Sequence, residues 1–334
     1  MRALRLLAAS VMLSSLLGLA ACGGGYGGGG GNMPVAAAPS KLFGADSPHR
    51  AIGSLADPNP SSGTIPVDRV IQGPYYTQLS NNIGSLALDP VLNYLYVGNG
   101  TSILVFYMAS TANGDVSPLR AISGIGNTGS LFLDTASNRL YVGDDVNGVK
   151  VFNGASTVSG APAPDRAITG DFGATFVIHG VAVDTTARNI LYVSNTNHTT
   201  SSDQISVFAN ADTVNNSVVP TRTITPNPAS AVGGIFLDTG NDRLYVAGGA
   251  GATTVMVFNG ASAADGSTPP TKTLSGFPSG ILNVVVDTVH DRLYAVGVNG
   301  VYIVNSVSTA TGSVTATAII PLTGGSLTAV AVAP

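Results

Sequence analysis

The sequence predicts an all-β chain that closes into a six-bladed β-propeller, with its N- and C-terminal strands paired in one shared blade. Three observations carry this prediction: the composition of the 334 residues, a phrase repeated five times from residue 84 onward, and two incomplete ends that together supply a sixth copy.

Composition comes first. Only 10% of residues are charged, against about 25% in an average soluble domain. Every carboxylate side chain is an aspartate, and tryptophan is absent. Gly, Ser, Thr, Ala and Val dominate, a mixture that suits β-branched strands joined by small-residue turns and disfavours long helices. The formal net charge is −4, with few and scattered basic residues. Nucleic-acid binding, which needs clustered Lys and Arg to neutralise phosphates, is excluded as an expectation.

The repeat sets the fold. Aligned on one aspartate, the units read GSLALDPVLNYLYV (84–97), GSLFLDTASNRLYV (129–142), HGVAVDTTARNILYV (179–193), GGIFLDTGNDRLYV (233–246) and LNVVVDTVHDRLYA (282–295). Each continues into a second β run (ILVF, VKVF, ISVF, VMVF, VYIV) and, after a polar loop, a third (LRAI, DRAI, TRTI, TKTL, TAII). The aspartates recur every 45 to 54 residues, from Asp89 through Asp134, Asp184, Asp238 and Asp287. Each unit therefore reads as four short strands, A to D. Strand A is apolar at nearly every position, as expected of a strand buried on both faces. Strand B is the Leu-Tyr-Val run. Asn-Gly at 99–100, 147–148 and 299–300 falls between strands B and C, where a tight turn needs positive φ. The Arg or Lys of strand D suits an exposed outer edge.

The ends complete the count. LTAVAVAP (327–334) reads as a strand A with nothing after it, and residues 41–73 supply the rest: KLFGA as B, RAIGSLA as C and DRVIQ as D. Pairing the two termini closes the ring and removes its exposed edges.

The LD-x4-RLYV…VxVF…R-x-I phrase resembles bacterial six-bladed propellers of the NHL-repeat and lactonase-like group, over residues 41–334. The resemblance implies architecture more than activity. In the gluconolactonase and paraoxonase-like families, Glu, Asn and Asp at the start of strand A hold calcium. Here that row contains Gly84 and Ser85, Gly129 and Ser130, His179 and Gly180, Gly233 and Gly234, Leu282 and Asn283, then Thr328 and Ala329. Hard cations need several oxygen ligands, mostly carboxylate. No metal, cofactor or catalytic residue is therefore expected. His179, Asn283, Ser85 and Ser130 are the candidate ligand contacts at the channel mouth.

Five carboxylates around a ring could gather a cation, but Asp89, Asp134, Asp184, Asp238 and Asp287 each precede a short turn. There a carboxylate can cap backbone N–H groups, and the sixth position is Ala333. A structural blade-turn role is expected, with Arg139, Arg243 and Arg292 pairing the same aspartates. Asp144 and Asp145 read as a hairpin loop and His198 as part of an enlarged solvated loop. No G-x-S-x-G elbow or P-loop occurs.

The amino terminus predicts the location. Arg2 and Arg5 form a positive n-region, and Leu6 to Leu17 an apolar run of secretory-signal length, too short to span a bilayer. Leu19-Ala20-Ala21-Cys22 matches the bacterial lipobox, and Cys22 is the only cysteine. The expected organisation is a signal peptide over 1–21, lipidated Cys22 with a glycine-rich tether over 22–40, and the propeller over 41–334. Gly23 after the cysteine favours the outer over the inner membrane of a bacterial envelope. The expected role is a lipid-anchored, non-catalytic binding or scaffold module. Its partners would be the membrane through the anchor and a protein or glycan of the envelope. The alternative is a divergent lactone or ester hydrolase.

Overall fold

The computed structural model describes residues 41–56, 67–170, 172, 176–197, 202–226, 231–249, 251–316, 318–320 and 327–333. Cys22, the lipobox residues Leu19, Ala20 and Ala21, the tether and His198 lie outside the described residues. Within them the chain is a six-bladed propeller without helices.

Blade 1 contains β1 (Lys41–Asp46), β2 (Ala51–Ala56) and β3 (Arg69–Ile71); blade 2 contains β4 (Ile83–Asp89), β5 (Tyr94–Asn99), β6 (Ser102–Tyr107) and β7 (Arg120–Ser123). Blade 3 is β8 (Thr128–Asp134), β9 (Arg139–Asp144), β10 (Gly148–Asn153) and β11 (Arg166–Ile168). Blade 4 is β12 (Phe176–Asp184), β13 (Ile190–Asn197), β14 (Ser202–Ala209) and β15 (Arg222–Pro226). Blade 5 contains β16 (Ile235–Asp238), β17 (Arg243–Ala247), β18 (Val255–Asn259) and β20 (Lys272–Ser275), with β19 (Gly266–Thr268) in its long loop. Blade 6 contains β21 (Ile281–Asp287), β22 (Arg292–Gly297), β23 (Gly300–Asn305) and β25 (Ala318–Ile320), with β24 (Gly312–Ser313) in the corresponding loop. The last strand, β26 (Leu327–Ala333), returns to blade 1 as its innermost strand and pairs antiparallel with β1, Lys41 opposite Ala333 and Phe43 opposite Ala331.

The innermost strands touch one another in turn, β26 to β4 to β8 to β12 to β16 to β21 and back to β26. Buried apolar side chains fall into six clusters, each spanning one seam between neighbouring blades. This is why strand A is apolar on both faces: each face meets a different blade. The strand-B tyrosines Tyr96, Tyr141, Tyr192, Tyr245 and Tyr294 are fully buried in these seams.

Two features differ from the sequence expectation. First, the loop between strands C and D reaches back along the preceding blade and adds a short parallel strand to its outer edge. The partners are Ile71 with Gly114, Ile122 with Gly160, Ile168 with Asn216, Ile224 with Gly266 and Leu274 with Gly312. Outer edges that read as exposed are thus strapped. Second, the strand-D basic residues are half-buried clamps, because the next blade presents backbone carbonyls to them. Arg69 donates to Ser110 O, Arg120 to Ala155 O and Val158 O, Arg166 to Ala211 O and Val214 O, Arg222 to Ala264 O, and Lys272 to Ser308 O.

Candidate binding site

The two faces of the disc differ. One, the mouth face, carries the B–C turns and the D-to-A connections. The other, the turn face, carries the A–B turns and the ends of strand C.

On the turn face, Asp89 Oδ1 accepts the N–H groups of Val91 and Leu92, both at 2.9 Å. Asp134 accepts from Ser137, Asp184 from Thr186, Asp238 from Asn241, and Asp287 from Val289 and His290. Asp184 also pairs with Arg188 at 2.5 Å and Asp287 with His290 at 2.7 Å. The aspartate–arginine pairing expected for Arg139 and Arg243 is corrected. Their Nε groups reach Asn153 and Asn259 at the end of strand C, and their NH1 groups the hydroxyls of Tyr141 and Tyr245. Extended beside strand C, each guanidinium meets that strand's terminal amide rather than the turn behind it.

Of the four channel-mouth candidates, His179 is not among the residues lining the central cavity. Ser85, Ser130 and Asn283 line a central cavity of about 190 Å³ whose remaining walls are mainly aliphatic. That is smaller than the roughly 300–1,000 Å³ of typical small-molecule pockets. Ser85 Oγ accepts the N–H of Leu131 and Ser130 Oγ that of Val181, both at 2.9 Å, so each hydroxyl stitches two blades together. The mouth is tight: a Cβ on Gly129 would stand 2.2 Å from Ile178 O. Register shifts at Gly84, Gly129, His179 and Leu282 interrupt the pairing of strand A with strand B at this end.

His179 has a partner that the sequence did not reveal. Its Nε2 lies 2.8 Å from Thr196 Oγ1, which donates to Asp203 on the adjoining strand. Asp145 stands nearby: burial raises its pKa, opposed by the Ile178 N–H, the Asn127 amide and the charge of His179. Asp144 ends β9 rather than lying in a loop. It is fully buried, pairs with Lys150 at 2.8 Å and accepts the Gly126 N–H.

A second site on the mouth face escaped the sequence reading. Residues 72–75 and 77–81, with His49 and Arg50 of the β1–β2 turn, line an open groove of about 840 Å³, and Tyr76 stands beside it. Tyr75 is 82% exposed and Tyr76 60%, their ring centroids 6.4 Å apart. Asp115, from the strap of blade 2, accepts the N–H groups of Tyr75, Tyr76 and Thr77 and so fixes the backbone beneath both rings. Gly73 permits this approach, since a Cβ there would fall 2.1 Å from the Asp115 carboxyl carbon. Asn99 braces the other end, accepting from the Ser80 N–H and donating to Gln78 O. The groove and its rim thus offer two exposed aromatic rings on a fixed backbone, beside amides, hydroxyls and one guanidinium, an arrangement suited to contacts that are partly apolar and partly hydrogen-bonded. The only sequence signal was the adjacent tyrosines of GPYYTQLSNN.

No protein-family model matches the chain, and no curated protein matches it in sequence. Solved structures are similar in fold. The WD40 β-propeller domain of Doa1 superposes with a TM-score of 0.54 at 16% identity, over 88% of this chain and 83% of that one. A chain of the mitotic checkpoint complex superposes with a TM-score of 0.51 at 14% identity, over 83% of this chain and 71% of that one. The likeness is one of architecture.

Proposed function

We propose that the protein is a lipid-anchored binding module of the bacterial cell envelope, more specifically of the outer membrane, that captures an envelope protein or glycan without transforming it. The observation that carries this reading is the Tyr75–Tyr76 groove. Covering exposed aromatic surface removes apolar area from water and is favourable, and Asp115 fixes the backbone that carries both rings. The lipobox ending at Cys22 supports the anchored location. Full-length protein used to capture partners from envelope extracts is expected to enrich a defined protein or glycan. The Tyr75→Ala/Tyr76→Ala variant is expected to lose that enrichment while keeping its thermal unfolding temperature. Equal enrichment by both proteins, or none by either, refutes the groove as the binding site.

One observation favours a second reading, a divergent lactone or ester hydrolase of the lactonase-like group: the hydrogen-bonded chain from His179 through Thr196 to Asp203 at the channel mouth. Lactone turnover that disappears in His179→Ala would support it.

A further inference from the structure

The turn face of blade 2 is unlike the rest of the surface. Among the described residues, five of the eleven exposed large apolar side chains belong to this one edge: Val91, Leu92, Tyr107, Met108 and Leu119. Topology gathers them. Val91 and Leu92 form the turn between β4 and β5, Tyr107 ends β6 opposite Tyr94, and Leu119 immediately precedes β7. The Ala109 N–H donates to Asn93 O at 3.1 Å, which brings Met108 beside Leu92. Val91 is 84% exposed.

The same corner is where the described chain begins. Lys41 stands at the turn-face end of β1, opposite Ala333, and its Nζ donates to Ser110 O, two residues beyond Met108. Arg69 donates to the same carbonyl at 3.1 Å. Cys22 precedes Lys41 by 19 residues. Even fully extended, a chain of that length spans no more than about 65 Å.

From the position of Lys41 beside this patch, we infer that the turn face of blade 2 seats on the lipid surface that holds the anchor, leaving the Tyr75–Tyr76 groove facing away from it. This rests on the lipid-anchor reading above. An apolar patch of five side chains is too small for firm membrane binding alone, but an anchor a short chain-length away makes its insertion intramolecular. Tyrosine suits the headgroup level, where its ring is apolar and its hydroxyl meets water. Amphipathic surfaces of this kind sit about 5–10 Å into the headgroup–acyl boundary.

The chain has no tryptophan, so one introduced indole is a clean reporter. Leu92→Trp, Tyr107→Trp and, on the opposite face, Tyr75→Trp are prepared in the full-length lipidated protein. Each is reconstituted into phosphatidylethanolamine–phosphatidylglycerol vesicles with and without bromine-labelled acyl chains. Leu92→Trp and Tyr107→Trp are expected to shift their emission to the blue and to lose intensity with the brominated lipid, whereas Tyr75→Trp does neither. Vesicle-bound protein with all three indoles unquenched, or with Tyr75→Trp quenched instead, overturns the proposal. So does a blue shift of Leu92→Trp that needs no vesicles and grows with protein concentration, which identifies a second copy as the occupant. An unmodified Cys22 by mass spectrometry would refute the anchor reading separately. The same variants, coupled through the single Cys22 thiol to maleimide-headgroup lipid in the vesicles, then decide the patch: quenching of Leu92→Trp and Tyr107→Trp upholds it, and none overturns it.

Discussion

The Arg120 guanidinium of blade 2 donates to the Ala155 carbonyl of blade 3 at 2.9 Å, and that same oxygen accepts from the buried Tyr96 hydroxyl, also at 2.9 Å. Arg120 further lies over the Tyr94 ring, 5.0 Å from its centroid. Burial pushes the Tyr96 phenol up to about 12 despite the opposing Arg120 charge, so it remains a donor at any physiological pH. The seam is thus held by two donors converging on one backbone acceptor.

Arg120→Met retains the aliphatic stem and removes the donors. Hydrogen bonds from charged groups contribute about 1.5–3 kcal/mol, so a loss in that range is expected in urea unfolding. Tyr96→Phe alone should cost less, and the double variant should depart from additivity because both groups share one acceptor. Strict additivity would show that the two contacts are independent.

Asp144 makes stability depend on acid pH. Burial alone would raise its pKa, but the N–H groups of Gly126 and Val146, with Lys150 and Asn147, outweigh burial and bring it to about 2. An unfolded aspartate titrates at about 3.9. The stabilisation is therefore complete above that pH and is lost as pH falls from about 4 to about 2, amounting to roughly 2–3 kcal/mol. Asp144→Asn should lower stability at pH 6 and flatten the acid limb of the profile between those values. A parallel acid limb in the variant would assign the effect to other carboxylates.

Lys150 is its buried counterpart. Removing one partner of such a pair leaves an uncompensated charge, at a cost of about 3–5 kcal/mol. Lys150→Met should therefore be more damaging than Arg120→Met in the same unfolding assay. A smaller loss would mean that water or a rearranged loop reaches Asp144.

The straps require left-handed backbone. Gly114 has φ +78°, and Asn216 fills the equivalent place in blade 4 with φ +65°. A Cβ on Gly114 would meet nothing within 4 Å, so only backbone strain opposes substitution. Gly114→Val is expected to cost about 1–2 kcal/mol, and Gly114→Asn clearly less. Equal losses in thermal unfolding would point to a steric cause instead.

Closure by β26 is expected to be indispensable. Leu327 and Ala329 are buried, and deleting the chain from Leu327 onward exposes Phe43 and the inner edge of blade 1. The truncated chain should lose its cooperative unfolding transition. A permuted chain that places residues 327–333 ahead of Lys41 through a four-residue turn, such as Thr239 to Asp242, should regain it. Cooperative unfolding of the truncated form would show that the ring tolerates an open seam.

The sequence by itself determined what is periodic and local. Strand A, the Asp89-type turns, the Leu-Tyr-Val runs and the pairing of 327–333 with 41–46 all follow from residues close together in one repeat, or from one copy split between two ends. Their signals are alternation, turn chemistry and counting, which need no knowledge of neighbours. Only the tertiary structure decided what each repeat does to the next: that Arg120 clamps Ala155 instead of facing solvent, that Gly114 straps Ile71, that Arg139 leaves Asp134 for Asn153, and that His179 meets Thr196. The Tyr75–Tyr76 groove belongs to the same class, because His49, residues 72–81 and Asp115 come from three separate stretches of chain. The physical reason is common to all of them. A blade folds on its own hydrogen-bond ladder, but a closed ring brings backbone carbonyls and carboxylates of one blade against side chains of another, and sequence spacing carries no record of that contact.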